Sequence, residues 1–144
     1  MLTRPENRVV ARFQDGLSLR GTTIDFSPTR RVFRLSDSGA TYEIDLTRLK
    51  ALFFVRDFDG NAAYNEKKGF FARPNHGKKV MVEFKDGEVL FGYTLTYSTH
   101  GIGFFVFPGD PESNNEKVFV IHGATRTVRL TPLTGTFPQA PSVG

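Results

Sequence analysis

The chain has 144 residues, a formal charge of +4 and no cysteine. That length suits one ordinary domain, or two small ones of about 60 residues that are each marginal alone and stabilised by packing on each other. Without cysteine, disulfides, thiolate catalysis and cysteine-ligated zinc are excluded, and a reducing cytoplasm is the expected compartment. The cationic excess is spread out. Residues 1–60 carry ten Lys/Arg against eight Asp/Glu and residues 61–144 nine against seven, so neither half is a basic tail and most charges read as solvated strand faces. No signal peptide is expected before Val9. The apolar runs 51–55 and 102–107 fall far short of the roughly 20 residues that cross a bilayer, so no membrane insertion is expected.

In chain order, residues 1–7 are polar and interrupted by Pro5, an expected extended arm. Two β-rich stretches, 8–13 and 17–26, then flank Asp15-Gly16, a hairpin signal because glycine takes positive φ without steric cost. The same design returns 71 residues later: Phe13 aligns with Phe84, Asp15-Gly16 with Asp86-Gly87, Leu19 with Leu90, Gly21 with Gly92, Thr23 with Thr94, Ser27 with Ser98 and Phe33 with Phe104. So regular a series of matches marks an internal repeat. Gly21 and Gly92 fall inside the second strand of each copy, where a missing side chain permits a sharp bend.

After the turn 27–31, alternation over 32–35 and a turn at Asp37-Ser38-Gly39 lead into a strand over 40–46. Leu52-Phe53-Phe54-Val55 is apolar on both faces and is expected to be a central, doubly buried element at the junction of the copies. Residues 59–78 form a connector whose Tyr64, Phe70 and Phe71 require some packing on a barrel, and 108–117 is a polar excursion longer than its counterpart in the first copy, an expected contact loop. The domain plan is therefore an arm (1–7), a first small β-barrel (8–58), the connector (59–78), a second small barrel (79–132) and a disordered tail (133–144), with about five strands per copy.

The residues offer little for catalysis. His76, His100 and His122 stand apart, without Asp or Glu at metal-ligand spacing, and neither a nucleophile elbow nor a phosphate loop occurs. Asp57-Phe58-Asp59-Gly60-Asn61 imitates the start of a calcium loop, but Ala62 and Lys68 occupy the positions that need glycine and glutamate. Asp15 and Asp86 read as turn makers. Phe33, Phe84, Phe104 and Phe119 alternate with polar neighbours and read as core.

Two resemblances follow from these motifs. The pattern Val-x-x-x-Phe-x-Asp-Gly-x-x-Leu-x-Gly, at Val9 to Gly21 and again at Val80 to Gly92, resembles the strongly bent barrels of the Sm-like group. With the segment Leu49-Lys50-Ala51-Leu52-Phe53-Phe54-Val55 between the copies, it is similar to an uncharacterised bacterial family over residues 8–130, which implies a cytoplasmic module with no assigned activity. The second resemblance, a partial one, is to PilZ domains. Arg4 and Arg8 match Arg-x-x-x-Arg before the first strand. Asp25 and Ser27 match the start of Asp/Asn-x-Ser-x-x-Gly, but Arg30 stands at the glycine. That resemblance implies cyclic di-GMP as a ligand, with arginines on its phosphates and guanines and Asp25 on a guanine edge.

The expectation is an all-β chain of two tandem Sm-like or SH3-like (PilZ-like) barrels, non-enzymatic and without a cofactor, acting as a bacterial regulatory or adaptor module. It binds a protein partner, or a further copy of itself, through strand edges and the 108–117 loop. The alternative is a degenerate cyclic di-GMP receptor using Arg4, Arg8, Asp25 and Ser27, with Arg30 and Arg31 as further candidate ligand-binding residues. A second alternative is an RNA or single-stranded DNA binder using Arg30, Arg31, Arg34, Lys67, Lys68, Arg73, Lys78 and Lys79, with Phe70, Phe71 and Tyr97 as stacking faces.

Overall fold

Each copy begins with a strand that ends in phenylalanine, turns at Asp-Gly and returns. In the computed structural model, which describes residues 6–59, 77–95 and 97–131, both hairpins form in the same way. The Phe13 amide bonds the Leu17 carbonyl at 2.8 Å and the Phe84 amide bonds the Glu88 carbonyl at 2.9 Å. Asp15 Oδ1 accepts from the Leu17 amide and Asp86 Oδ1 from the Glu88 amide, while Gly16 and Gly87 take φ of 95° and 92°. The local hydrogen bonding inferred for the two aspartates is what the structure contains.

The strands are β1 (Asn7–Phe13), β2 (Ser18–Thr23), β3 (Val32–Asp37), β4 (Ala40–Asp45) and β5 (Leu49–Val55) in the first half. In the second they are β6 (Lys78–Phe84), β7 (Val89–Thr94), β8 (Gly103–Pro108), β9 (Asn115–Ile121) and β10 (Thr125–Leu130). A single 3-10 turn precedes the last strand of each half, at Leu46–Arg48 and His122–Ala124. Among the described residues there is no other helix, and none long and apolar enough to cross a membrane. The connector and tail expected at 59–78 and 133–144 lie almost wholly outside the described residues.

The all-β expectation holds, and the strand order answers what the residues left open, whether the two copies share one sheet. All ten strands form one antiparallel sheet, β10-β6-β7-β8-β9-β5-β1-β2-β3-β4, which does not close on itself. Within it each half has the same internal order, its last strand beside its first and then the second, third and fourth. Side chains from β1, β3, β4 and β5 nonetheless meet in one core, so the sheet curls around each half without sealing. The physical reason for continuity lies at the junction, where β5 pairs with β9 instead of remaining an edge.

At that junction the doubly apolar strand finds its use. Every residue of β5 is buried. Leu49, Leu52 and Phe54 face the first core with Val9, Ala11, Phe33 and Leu35, whereas Ala51, Phe53 and Val55 face the second with Val80, Val82, Phe84 and Phe104. β9 does the converse, giving Phe119 and Ile121 to the first core and Val118 and Val120 to the second. Phe26, just beyond β2, plugs the first core, edge-on to Phe33 at 5.8 Å and to Phe119 at 5.2 Å; its counterpart Tyr97 stands edge-on to Phe104 at 4.8 Å. Such ring pairs add about 0.5–1.5 kcal/mol each beyond burial.

Gly21 and Gly92 sit where β2 meets β3 and β7 meets β8. A Cβ at Gly21 would collide with the Ser36 carbonyl and the Leu35 side chain, and one at Gly92 with the Phe107 carbonyl and Val106. The glycines let two backbones approach where the sheet curls. Gly21→Ala and Gly92→Ala are each expected to destabilise by about 1–3 kcal/mol through overpacking. Gly123→Ala, whose nearest neighbour is the tip of Gln14 at 4.0 Å, should stay within about 0.5 kcal/mol of the parent. Urea denaturation midpoints measure all three.

Candidate functional site

The residues singled out by the PilZ resemblance are distributed by the fold over separate local structures. Arg4 lies outside the described residues. Arg8, on β1, donates to the Arg56 carbonyl at 2.6 Å. Asp25 Oδ1 accepts from the Thr23 hydroxyl at 3.1 Å and from the Arg34 amide at 3.0 Å, so the carboxylate bridges the bend between β2 and β3 where the strand ladder lapses. Arg30 donates to the Asp25 carbonyl and Ser27 shares a bond with the Thr29 hydroxyl. Arg31 makes a bidentate pair with Asp45, its shortest contact 2.8 Å. The structure therefore brings Arg30 to Asp25 and Arg31 to Asp45, and leaves Arg8 on another strand.

Asp45 has a second task. It caps the 3-10 turn, Oδ1 accepting from the Thr47 amide at 2.9 Å. The Arg31 guanidinium, then the Thr47 hydroxyl, hold its carboxyl well below the usual carboxylate range. Tyr97, expected as a stacking face, packs on Phe104 and His122, and His122 Nε2 lies 2.8 Å from the Ser98 carbonyl. Among the described residues no three His, Asp or Glu side chains converge as a metal site.

The 108–117 excursion is built into the fold over much of its length. Asp110 and Ser113 are buried, Asp110 Oδ1 accepts from the Glu112 amide, and Asn114 exchanges bonds with Asp57 through both its oxygen and its nitrogen. Pro111, Glu112 and Glu116 are exposed.

Sequence reasoning missed two arrangements because both depend on pairing between distant strands. The first is a clamp between the halves. Lys50 on β5, nearly buried, reaches Asp86 at 2.7 Å and Glu88 at 2.9 Å in the second half's first hairpin and lies 4.7 Å from the centre of the Phe84 ring. The second is the divergence of the two outer faces. Alternation and register put Arg8, Thr22, Ser36 and Thr41 in one row across β1, β2, β3 and β4, with Arg20 and Arg34 in neighbouring rows. At the equivalent places in the second half stand Lys79, Tyr93, Phe107 and Lys117, with Phe91 and Phe105 for the two arginines. A cleft of about 340 Å³ opens on the first face, with Thr22, Asp25, Arg34, Ser36 and Thr41 in its wall. The parity of the arginines along each strand was the available signal.

The ends of the sheet complete the geometry. β4 carries exposed residues from Ala40 to Glu43, whereas β9, its counterpart, is covered by β5. With the 3-10 turns superposed, Glu43 stands where β9 has Phe119 and Asp45 where it has Ile121.

Comparison with known proteins adds one relationship. The chain belongs to a family of unknown function, DUF6982, whose model matches residues 5–131. That span contains both halves. Neither a curated protein nor a solved structure matches.

The Lys50 clamp yields a stability test. Lys50 donates to Asp86 and so holds its carboxyl below the ordinary 3.8. A lowered folded pKa means that the pair contributes fully above 3.8 and that the contribution fades as the pH falls through the lower folded value. Removing one partner of a buried pair costs about 3–5 kcal/mol, but these carboxylates are half exposed, so Lys50→Met should cost about 1–2 kcal/mol near neutral pH. The difference from the parent should shrink at about pH 3, as measured by urea midpoints at the two pH values.

Proposed function

We propose that the chain is a non-enzymatic adaptor module that binds a protein partner by accepting an extended segment of it along the open edge of β4. The observation that carries this reading is the contrast between two equivalent edges. On β9 the edge is occupied by β5 in an antiparallel ladder that shifts register between Phe54 and Val55; on β4 the corresponding backbone has no strand beside it among the described residues. An open edge offers a row of amide and carbonyl groups to a partner's backbone, and alternate side chains then select the sequence that binds. Tyr42, 43% exposed, supplies an apolar contact beside it, and Glu43 a charge.

The shared strand order of the halves supports a reading as tandem copies of an Sm-like unit; the bacterial regulatory setting rests on the sequence resemblance alone. Cyclic di-GMP is the small-molecule alternative. Arg8 and Asp25 would serve it, but Asp25 is already committed to Thr23 and the Arg34 amide, so the protein-binding reading is preferred.

A photo-crosslinking residue placed at Tyr42 should give one discrete adduct with a partner protein in extracts of the native host, mapped to an extended segment. The same residue at Leu17 or Leu95, both well exposed, should give none of it. Once the partner is purified, Thr41→Lys with Tyr42→Lys should weaken its binding at least tenfold, since lysines guard strand edges. Equal adducts from all three positions, or unchanged affinity in the lysine variant, would overturn the assignment.

A further inference from the structure

We infer that the outer face of the first half, across β1, β2 and β3, is a binding surface for the phosphate backbone of single-stranded nucleic acid, gripped by Arg8, Arg20 and Arg34. This function is separate from partner binding at the β4 edge and uses the adjoining face, the two meeting at Thr41.

Four observations lead there. The first is the register. Arg8 lies opposite Thr22, Arg20 opposite Val10 and Thr22 opposite Ser36, which puts all three arginines on the same side of the sheet. From ordinary strand spacing their Cα atoms are about 8, 12 and 14 Å apart. One phosphate cannot bridge all three, whereas a chain with a charge on every unit can follow them.

The second is their availability. All three are exposed, and none is in an ion pair with a described residue. Arg8 bonds only a carbonyl and Arg20 lies 6.0 Å from the centre of the Phe58 ring. By contrast Arg12 has Glu88 at 3.9 Å and Arg31 is held by Asp45. Two carboxylates flank Arg34: Glu43, opposite it in the ladder, and Asp25, whose Oδ1 accepts from the Arg34 amide.

The third is the choice of cation. Residues 1–49 contain eight arginines and no lysine, while residues 61–144 contain six lysines and three arginines. A solvated face needs no such preference. A planar guanidinium grips phosphate through two parallel bonds and stacks on bases, which a lysine cannot do.

The fourth is the duplicate. In the second half the same face is aromatic and partly withdrawn from solvent: Tyr93 is buried, and Phe105 packs 6.0 Å from Phe54 and 5.0 Å from Phe119. One copy of the face is thus used inside the molecule, while the other carries Arg34 in the wall of a cleft with Thr22, Ser36, Thr41 and Glu6, and with Asp25, whose carboxylate is engaged by the Thr23 hydroxyl and the Arg34 amide. The hydroxyls of Thr22, Ser36 and Thr41 suit sugar and phosphate oxygens. An acidic peptide would match the charge, but peptide anchors are apolar side chains that need an apolar pocket, and among the described residues Ile24 is the one apolar residue in the wall of this cleft.

Fluorescence anisotropy with labelled 12-nucleotide single-stranded RNA and DNA tests the inference on the full chain. With three phosphates neutralised, the logarithm of affinity should fall with the logarithm of salt at a slope of about −2, so binding should weaken about twentyfold from 50 to 200 mM salt. Arg20→Gln with Arg34→Gln leaves the Arg8 bond to the Arg56 carbonyl in place and should weaken binding at least tenfold. Arg126→Gln, on β10 at the opposite end of the sheet, should change it less than about threefold. Circular dichroism identical to the parent excludes misfolding of the variants. Absence of binding at 50 mM salt, affinity unchanged in the double variant, or equal competition by polyglutamate at matched charge would each overturn the inference. The last result would assign the face to an acidic protein chain.

Discussion

The pairing of β5 with β9 is the constraint on which the molecule depends. Cross-strand neighbours point to the same side, so Leu52 and Phe119 both enter the first core while Phe53 and Val118 both enter the second. A two-strand wall with apolar residues on both faces cannot be exposed on either side without loss. Each core therefore contains side chains from the other half, and neither is complete alone. This is how two units of marginal size escape the surface-to-volume problem of small domains. The Lys50 clamp adds a charged contact at the rim of the same junction, where its carboxylates remain partly hydrated.

Around that wall the duplication has kept its backbone and changed its surfaces. The Gln14 amide bonds the Arg48 carbonyl just as the Lys85 amide bonds the Ala124 carbonyl, and the Leu46 amide bonds Arg31 just as the His122 amide bonds Ile102. These bonds, which tie the 3-10 turn of each unit to its neighbours, are thus duplicated. What differs is the row of side chains that feeds a neighbouring core. β9 presents Phe119 and Ile121 there, and β4 presents Glu43 and Asp45; β5 presents Ala51 and Phe53, and β10 presents Thr127 and Arg129. Burying a charge in an aromatic core is costly, so a third unit could not be added in the geometry that joins the first two. The same charges protect the two edges that carry no further strand among the described residues from indiscriminate pairing.

Those differences also explain where binding surfaces can arise. A sheet that is packed on one face and paired along most of its length has only its edges and outer faces to offer. In the second half the outer face is largely aromatic, and Phe105 shows its use, packing against the plug of the first core. In the first half the corresponding positions are arginine, serine and threonine, so the surface that serves as a structural contact in one half is polar and charged in the other.

Much of this could be read from the chain alone. The spacing of Phe13, Asp15-Gly16, Leu19 and Gly21 against Phe84, Asp86-Gly87, Leu90 and Gly92 reports a repeated unit, because turn chemistry and close backbone approach are local demands met by particular residue types. The unbroken apolar stretch at 51–55 likewise signals a strand with no solvent face, and Phe33, Phe84, Phe104 and Phe119 are as buried as their alternation implies. Long-range pairing was not written in any one segment. That the halves share a sheet, that Lys50 meets Asp86 and Glu88, that Asp25 is spent on a bend, and that Arg8, Arg20 and Arg34 share a face all follow from register between strands far apart in sequence. Register depends on the sum of many cross-strand contacts, so it emerges only when the whole chain packs.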